Sequence, residues 1–129
     1  MSVVFKNLIL FSIGGIFYIV IELLWRGYTH ISMFLLGGLC FWLIGLINEK
    51  RSRKIPLITQ MVMGAVIITA LEFIFGYVLN IKMGLNVWNY ADMPYNIMGQ
   101  VCLPYTLVWF VLSGVCVIVD DWLRTHITV

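Results

Sequence analysis

Two glutamates and one arginine lie within stretches that are otherwise almost entirely apolar. Glu22 and Glu72 each follow a long run of aliphatic and aromatic residues, and Arg26 comes four residues after Glu22. A carboxylate at the centre of a membrane-spanning helix costs roughly 2.5–3.5 kcal/mol on insertion scales, so such residues are usually paired or functional. Two carboxylates and a guanidinium in one pocket could bind a small polar or charged solute.

The spacing of these residues places them on helix faces. Residues four apart share one face of a helix, and glutamate before arginine is the favourable order. Four residues after Glu72 the chain has Gly76 rather than an arginine. We therefore expect Arg26 to pair with both glutamates. Two interpretations stay open: a structural ion pair that fixes helix packing, and a solute-binding pocket open to the outer side.

The segment 79–100 supplies amides and aromatic rings that could line the outer edge of such a pocket. They are Asn80, Trp88, Asn89, Tyr90, Asn96 and Gln100. Aromatic residues with polar edges collect at membrane interfaces, which predicts a loop lying on the headgroups. Long loops are often functional, which predicts instead a lid or a partly re-entrant segment. Both interpretations stay open.

Four apolar segments must position these residues. They cover approximately residues 8–25, 31–47, 55–78 and 101–119, and a transmembrane helix needs about 20 mostly apolar residues. The chain of 129 residues is 62% hydrophobic and 11% charged, whereas soluble domains carry about 25% charged residues. The sequence therefore predicts an all-α integral membrane four-helix bundle that forms one domain over residues 1–129.

Similar residues recur in the two halves of the chain. The matching pairs are Gly14 with Gly64, Glu22 with Glu72, Gly37 with Gly99 and Cys40 with Cys102. They predict two tandem helix hairpins, about 8–47 and 55–119, each with a glutamate late in its first helix and a Gly-x-x-Cys early in its second. Because each hairpin has two spans, the repeats would be parallel rather than inverted.

The basic residues predict the orientation in the membrane. The densest charge cluster, 48–54, separates the second and third segments, and a cytoplasmic position for it makes both termini cytoplasmic. Arg26 and Lys82 would then lie outside, with the other six of the eight Lys and Arg residues inside, as the positive-inside rule favours. We therefore expect a multi-pass protein of the cell membrane with both termini in the cytoplasm.

Several classes of function lack their signatures in this sequence. It has no phosphate-binding loop, no Gly-x-Ser-x-Gly and no plausible Ser/His/Asp set, and no His or Cys pair has zinc spacing. The net charge of +2 is too small and dispersed for nucleic-acid binding. We expect no catalytic residues, no cofactor, no metal and no nucleic-acid partner.

Three motifs resemble one known membrane family. They are Glu72-Phe-Ile-Phe-Gly76-Tyr77, Gly84-Leu-Asn-Val-Trp88-Asn89-Tyr90 and Pro94-Tyr-Asn96-x-x-Gly99-Gln100-x-Cys102. The chain resembles the CmpB-type permeases, labelled ABC-transporter type IV, in which an aspartate usually follows the tryptophan where this chain has Asn89. Glu22-Leu-Leu-Trp-Arg26-Gly27 also fits the family pattern. The resemblance implies a permease-like membrane protein.

The favoured function is therefore a permease-like component that binds or transports a small polar or charged solute. With only four helices, a complete pathway would need a homodimer or a partner membrane subunit as well as the lipid bilayer. The alternative is a non-transporting scaffold or regulatory subunit whose buried polar residues are structural. A proton-coupled exporter of the small multidrug resistance kind has similar length, but the strong basic segment distinguishes this chain from that weakly oriented class.

Overall fold

The computed structural model describes residues 3–51 and 55–126. In this part of the chain four α-helices pack as a bundle: α1 Val3–Arg26, α2 Ile31–Arg51, α3 Leu57–Gly76 and α4 Leu103–His126. The predicted all-α membrane bundle is confirmed. Three stretches, Val3–Arg26, Leu57–Lys82 and Leu103–Leu123, are long and apolar enough to cross a membrane, and α2 carries the shorter apolar stretch Ile31–Ile47.

The helix boundaries follow from local chemistry. Gly27 ends α1 with a positive φ of 79°, a conformation that glycine adopts without a steric penalty. Pro56 directly precedes α3 as its N-cap. Pro104 lies in the first turn of α4, where its missing N–H costs no helical hydrogen bond.

The second helix is the centre of the bundle, because α2 packs against each of the other three helices. Among the described residues, α2 supplies more of the buried apolar side chains than any other helix, namely Met33, Leu36, Cys40, Phe41 and Ile44. The chain also pairs as two antiparallel hairpins, α1 with α2 and α3 with α4.

Glycines bring the paired helices close together, as small residues do in membrane bundles. Gly14 lies against the Phe41 side chain, and a Cβ there would overlap it. Gly64 lies in the same way against the side chain of Ser113 on α4. The two hairpins thus use a glycine at matching positions of their first helices.

The Gly-x-x-Cys match does not extend to the second hairpin. Cys40 lies inside α2, but Cys102 precedes α4, in a two-residue strand. That strand, Val101–Cys102, pairs antiparallel with Asn96–Ile97, and the backbone hydrogen bonds of the pair replace a helical start. The prediction of a Gly-x-x-Cys early in both second helices is therefore wrong, while the tandem repeat as a whole stays a prediction.

Residues 83–102, which we call the cap, cover one end of the bundle. The third helix continues beyond Gly76 as a π-helical extension, Tyr77–Lys82, so the loop predicted from residue 79 begins later. Val87 and Trp88 of the cap are buried against Met33 and other side chains of the core. The segment is thus folded onto the helices as a lid would be.

The opposite end of the bundle carries the predicted basic cluster 48–54. The described part of α2 continues to Arg51, and residues 52–54 lie outside the described residues. Because the chain passes four times between the two ends, the first residues of α1 and the last residues of α4 share this end with the cluster. We call it the basic end.

Candidate functional site

The last turn of α1 carries an ion pair. The Arg26 Nε donates to Glu22 Oε2 at 2.6 Å and Nη2 donates to Oε1 at 2.9 Å. The side chains are 19% and 10% exposed, respectively. Bidentate charge-assisted hydrogen bonds of this kind are among the strongest that side chains form. The same-face pair predicted from the spacing is confirmed.

Arg26 also fastens the cap to α1. Its Nη1 donates to the Val87 carbonyl at 3.0 Å, and the Val87 amide donates to Asn80 Oδ1 at 2.6 Å. Asn80 in turn donates from Nδ2 to Gln100 Oε1 at 2.8 Å. The network joins α1, the π-helical extension and both ends of the cap. Arg26 therefore holds the tertiary structure together as well as neutralising Glu22.

Glu72 has a different set of partners. It is 2% exposed and accepts two hydrogen bonds from uncharged donors: Tyr90 Oη to Oε2 at 2.9 Å and Trp109 Nε1 to Oε1 at 3.2 Å. The expectation that Arg26 would serve both glutamates is wrong. Arg26 faces Glu22 and the cap, because the i, i+4 geometry directs it along its own helix.

Tyr90 closes the space above Glu72 from the cap. Burial, and then the nearby Glu72 carboxylate, raise the pKa of the Tyr90 phenol well above its usual value. The phenol therefore keeps its proton and donates a hydrogen bond to the carboxylate. A π-helical turn and a folded cap were needed to bring this loop residue to Glu72, four residues before the end of α3.

Aromatic rings continue from Tyr90 into the bundle. The Tyr90 and Tyr105 rings stack at 4.9 Å between centroids, and Trp109 lies 6.2 Å from Tyr105 and 6.1 Å from Tyr18. Trp25 Nε1 approaches the Tyr105 hydroxyl at 3.4 Å. Aromatic rings thus surround the side of Glu72 on which its carboxylate accepts hydrogen bonds.

Tyr18, Tyr105 and Trp109 were not predicted as site residues from the sequence. The last two stand four residues apart on α4 and so share one face of the helix. That spacing was the available signal, but it does not reveal that the face points at Glu72.

A cavity of about 90 Å³ adjoins Glu72. All four helices contribute to its lining, and the residues from α2 are buried whereas Phe17 of α1 and Val115 of α4 are exposed. Among the described residues that line it, Glu72 alone carries a formal charge, and nearly all the others are apolar. The cavity is therefore an apolar chamber with one carboxylate at its margin.

The remaining predicted residues build the cap. Trp88 donates from Nε1 to the Gln100 carbonyl at 2.9 Å. Asn89 accepts from the Ala91 amide at 2.8 Å. Asn96 donates to the Met93 carbonyl at 2.9 Å and accepts from the Gly99 amide at 3.0 Å. Of the predicted cap residues, Tyr90 makes the direct contact with a glutamate.

Metal ligands are not clustered in the described residues. Within 3–51 and 55–126, no group of three or more His, Cys, Asp and Glu side chains lies close enough to hold an ion. The three cysteines are free thiols.

Comparison with known proteins gives one match. The chain matches the family described as "Putative ABC-transporter type IV" over residues 7–128, which includes all four helices, the cap and both glutamates. Searches of the curated proteins and of the solved structures gave no significant match. Since the match covers nearly the whole chain, this membrane protein belongs to the ABC-transporter type IV family of CmpB-type proteins.

Proposed function

We propose that this chain is a membrane transport component that binds a positively charged organic solute at Glu72. The observation that carries the proposal is the position of this carboxylate. It is almost fully buried, it accepts hydrogen bonds from a phenol and an indole, and it borders an apolar cavity. A buried carboxylate whose donors are uncharged attracts a cation strongly, because little water screens the interaction.

The surrounding rings favour an organic ammonium group over a hydrated metal ion. Trp109 and Tyr18 line the cavity with Glu72, and aromatic faces attract ammonium groups by about 2 kcal/mol or more when water is excluded. The enclosed volume is about 90 Å³, and two residues of its lining, Phe17 and Val115, are exposed, so the site is open at one side and a bound solute can extend beyond it. The site therefore suits a small cationic head group.

The Glu22–Arg26 pair has a supporting role in this proposal. Its charges neutralise each other, and Arg26 also donates to the Val87 carbonyl, which holds the cap over Glu72. The Glu/Arg set suggested by the sequence thus divides into one binding carboxylate and one structural pair.

A scaffold or regulatory subunit is the second candidate. It is favoured by the hydrogen bonds of three side-chain amides: those of Asn96 and Gln100 are bonded inside the cap, and that of Asn80 binds to Gln100 from the π-helical extension. In that case Glu72 would bind no solute, and the experiment below separates the two.

The proposal extends to topology and assembly. We place both termini and the basic end in the cytoplasm of a cell-membrane protein, with the cap outside, because the basic residues predict that orientation. Transport would need a homodimer or a partner membrane subunit, since a cavity between four helices is small for a complete pathway.

Glu72→Gln tests the proposal, because it removes the charge and preserves the shape. We would measure choline binding by calorimetry in nanodiscs of choline-free lipids, with uncharged dimethylbutanol as the carbon isostere. Choline should bind the native protein, and Glu72→Gln should weaken this binding about thirtyfold, the equivalent of roughly 2 kcal/mol, which is the lower limit for removing one partner of a buried charge pair. Dimethylbutanol should bind both proteins equally weakly.

Asp92→Asn is the matched control. Asp92 is exposed on the cap, so this variant removes one negative charge from the same end of the bundle without touching Glu72. It should bind choline as the native protein does. Equal choline affinity of the native and Glu72→Gln proteins would refute the proposal and favour the scaffold.

A further inference from the structure

The cavity beside Glu72 is open towards lipid. Phe17 on α1 and Val115 on α4 both line it, and they are 51% and 39% exposed. Both lie near the middle of helices that are long and apolar enough to cross a membrane. Exposed side chains at that depth face hydrocarbon rather than water. The opening between α1 and α4 is therefore a lateral one.

The capped end is closed above this opening. Tyr90 bonds to Glu72 and stacks on Tyr105, while Trp25 approaches Tyr105 from α1. These contacts join α1, α4 and the cap above the carboxylate. A ligand that reaches Glu72 without unfolding the cap must come from the membrane side.

The residues that line the cavity form an elongated groove with the Glu72 carboxylate at one end. On α4 it extends from Trp109 to Val119, a rise of about 15 Å. At one end of the groove, Trp109 donates a hydrogen bond to Glu72. From Trp109 towards the basic end, the groove is lined by aliphatic residues, cysteines and phenylalanine rings, together with Gly14 and Gly37. The groove therefore has the amphipathic layout of a chain with a cationic head.

The orientation of the groove matches a lipid-like molecule. Glu72 lies ten residues before the end of the helical stretch at Lys82, about 15 Å from the capped surface, and the apolar part continues from there towards the basic end. A single-chain amphiphile of the leaflet on the capped side has the same arrangement, head towards its surface and tail towards the midplane.

From this geometry we infer that the groove between α1 and α4 binds the alkyl chain of a membrane-dissolved ammonium amphiphile whose head group contacts Glu72. The inference rests on the proposed binding of cations at Glu72 and adds the chemical class of the solute and its route. Charge complementarity selects the head, and the apolar lining selects the tail because burial of a hydrocarbon surface stabilises the complex.

The test is photo-crosslinking with decyltrimethylammonium that carries a diazirine at the end of its chain, on the full protein in choline-free nanodiscs. Adducts should form on groove residues such as Ile13 and Val119. Ile16 and Ile118 are the internal controls, because they belong to the same helices and are exposed but do not line the groove. Choline at roughly ten times its dissociation constant should reduce the groove adducts about tenfold by mass action and leave the control adducts unchanged.

Two variants narrow the groove from opposite walls. Val115→Trp and Phe17→Trp should each reduce the groove adducts relative to Val111→Trp, a matched change on a lipid-facing part of α4 that is 59% exposed and outside the lining. Glu72→Gln should also reduce the groove adducts, as competing choline does, because it removes the charge that holds the head group.

The outcomes separate the two proposals. If the tail labels groove and control residues alike and choline changes neither, while choline still binds the native protein through Glu72, the tail lies in bulk lipid and this inference is wrong. If the groove variants disrupt a dimer of the chain and leave the choline-sensitive labelling unchanged, a second copy occupies the groove and the inference is also wrong. If choline does not bind at all, the proposed function and this inference are both refuted.

Discussion

Removal of Arg26 alone should destabilise the protein more than removal of the whole ion pair. Arg26→Met leaves the Glu22 carboxylate, 10% exposed, without its bidentate partner, and breaking a buried pair from one side costs about 3–5 kcal/mol. Partial exposure of Arg26 places the expected cost near the lower limit, about 3 kcal/mol. The Val87 carbonyl also loses its donor, which adds roughly 1 kcal/mol.

The double variant Glu22→Leu/Arg26→Met isolates the charge. Apolar replacement of a whole buried pair is often neutral or stabilising, so the loss of the Val87 contact should dominate, at about 1 kcal/mol. The double variant should therefore be about 3 kcal/mol more stable than Arg26→Met, since both variants lose the Val87 contact and only Arg26→Met strands a carboxylate. Lys82→Met, which removes an exposed cation at the same end of the bundle, should lie within about 0.5 kcal/mol of the native protein.

The assay is reversible unfolding in mixed micelles with an increasing fraction of a denaturing detergent, followed by tryptophan fluorescence. Free energies of unfolding are compared for the four proteins under one set of conditions. If Arg26→Met is no less stable than the double variant, Glu22 does not depend on Arg26 for its burial, and the argument from the ion pair is wrong.

Three further predictions concern the cap and the topology. Gly76→Ala should lower the free energy of unfolding by about 1–3 kcal/mol, because a Cβ there would lie 3.0 Å or less from side-chain atoms of the cap. Gly114→Ala is the control and should be tolerated, because its Cβ meets a flexible methionine at 3.0 Å. Equal free energies of unfolding for the two variants would contradict this prediction. Tyr90→Phe should lower the free energy of unfolding by about 1.5–3 kcal/mol. It should also speed hydrogen exchange of the backbone amide at position 90, which donates to a cap carbonyl. Unchanged exchange would mean that the phenol does not hold the cap. A cysteine at Lys82 should react with an impermeant thiol reagent added outside cells and one at Ser52 should not, and the reverse pattern would place the cap in the cytoplasm.

Much of the fold could be predicted from the sequence because its signals are local. Long apolar runs require helices in a bilayer, since every backbone N–H and C=O must be satisfied within the segment. The Glu22–Arg26 pair was predictable for a related reason: the helix itself fixes which residues share a face. Both predictions use interactions between residues that are close in the chain.

The cap was less predictable because its conformation depends on distant partners. The interface preference of its aromatic residues suggested a loop on the headgroups as readily as a lid. Trp88 is buried because it packs near Gly76 and donates to the Gln100 carbonyl, contacts that no periodicity encodes. The short strands before α4 likewise displaced the start of that helix from residue 101 to Leu103.

The sequence by itself determined a membrane protein with four apolar helices, two intramembrane carboxylates and an arginine matched to the first of them. Tertiary structure alone decided what Glu72 contacts. Its donors, Tyr90 and Trp109, come from the cap and from α4, so they meet the carboxylate only after a π-helical turn, a folded cap and helix packing have set their positions. Spacing along a helix decides local pairs, whereas a carboxylate without a partner on its own helix is satisfied by whichever groups the packing of the bundle brings to it.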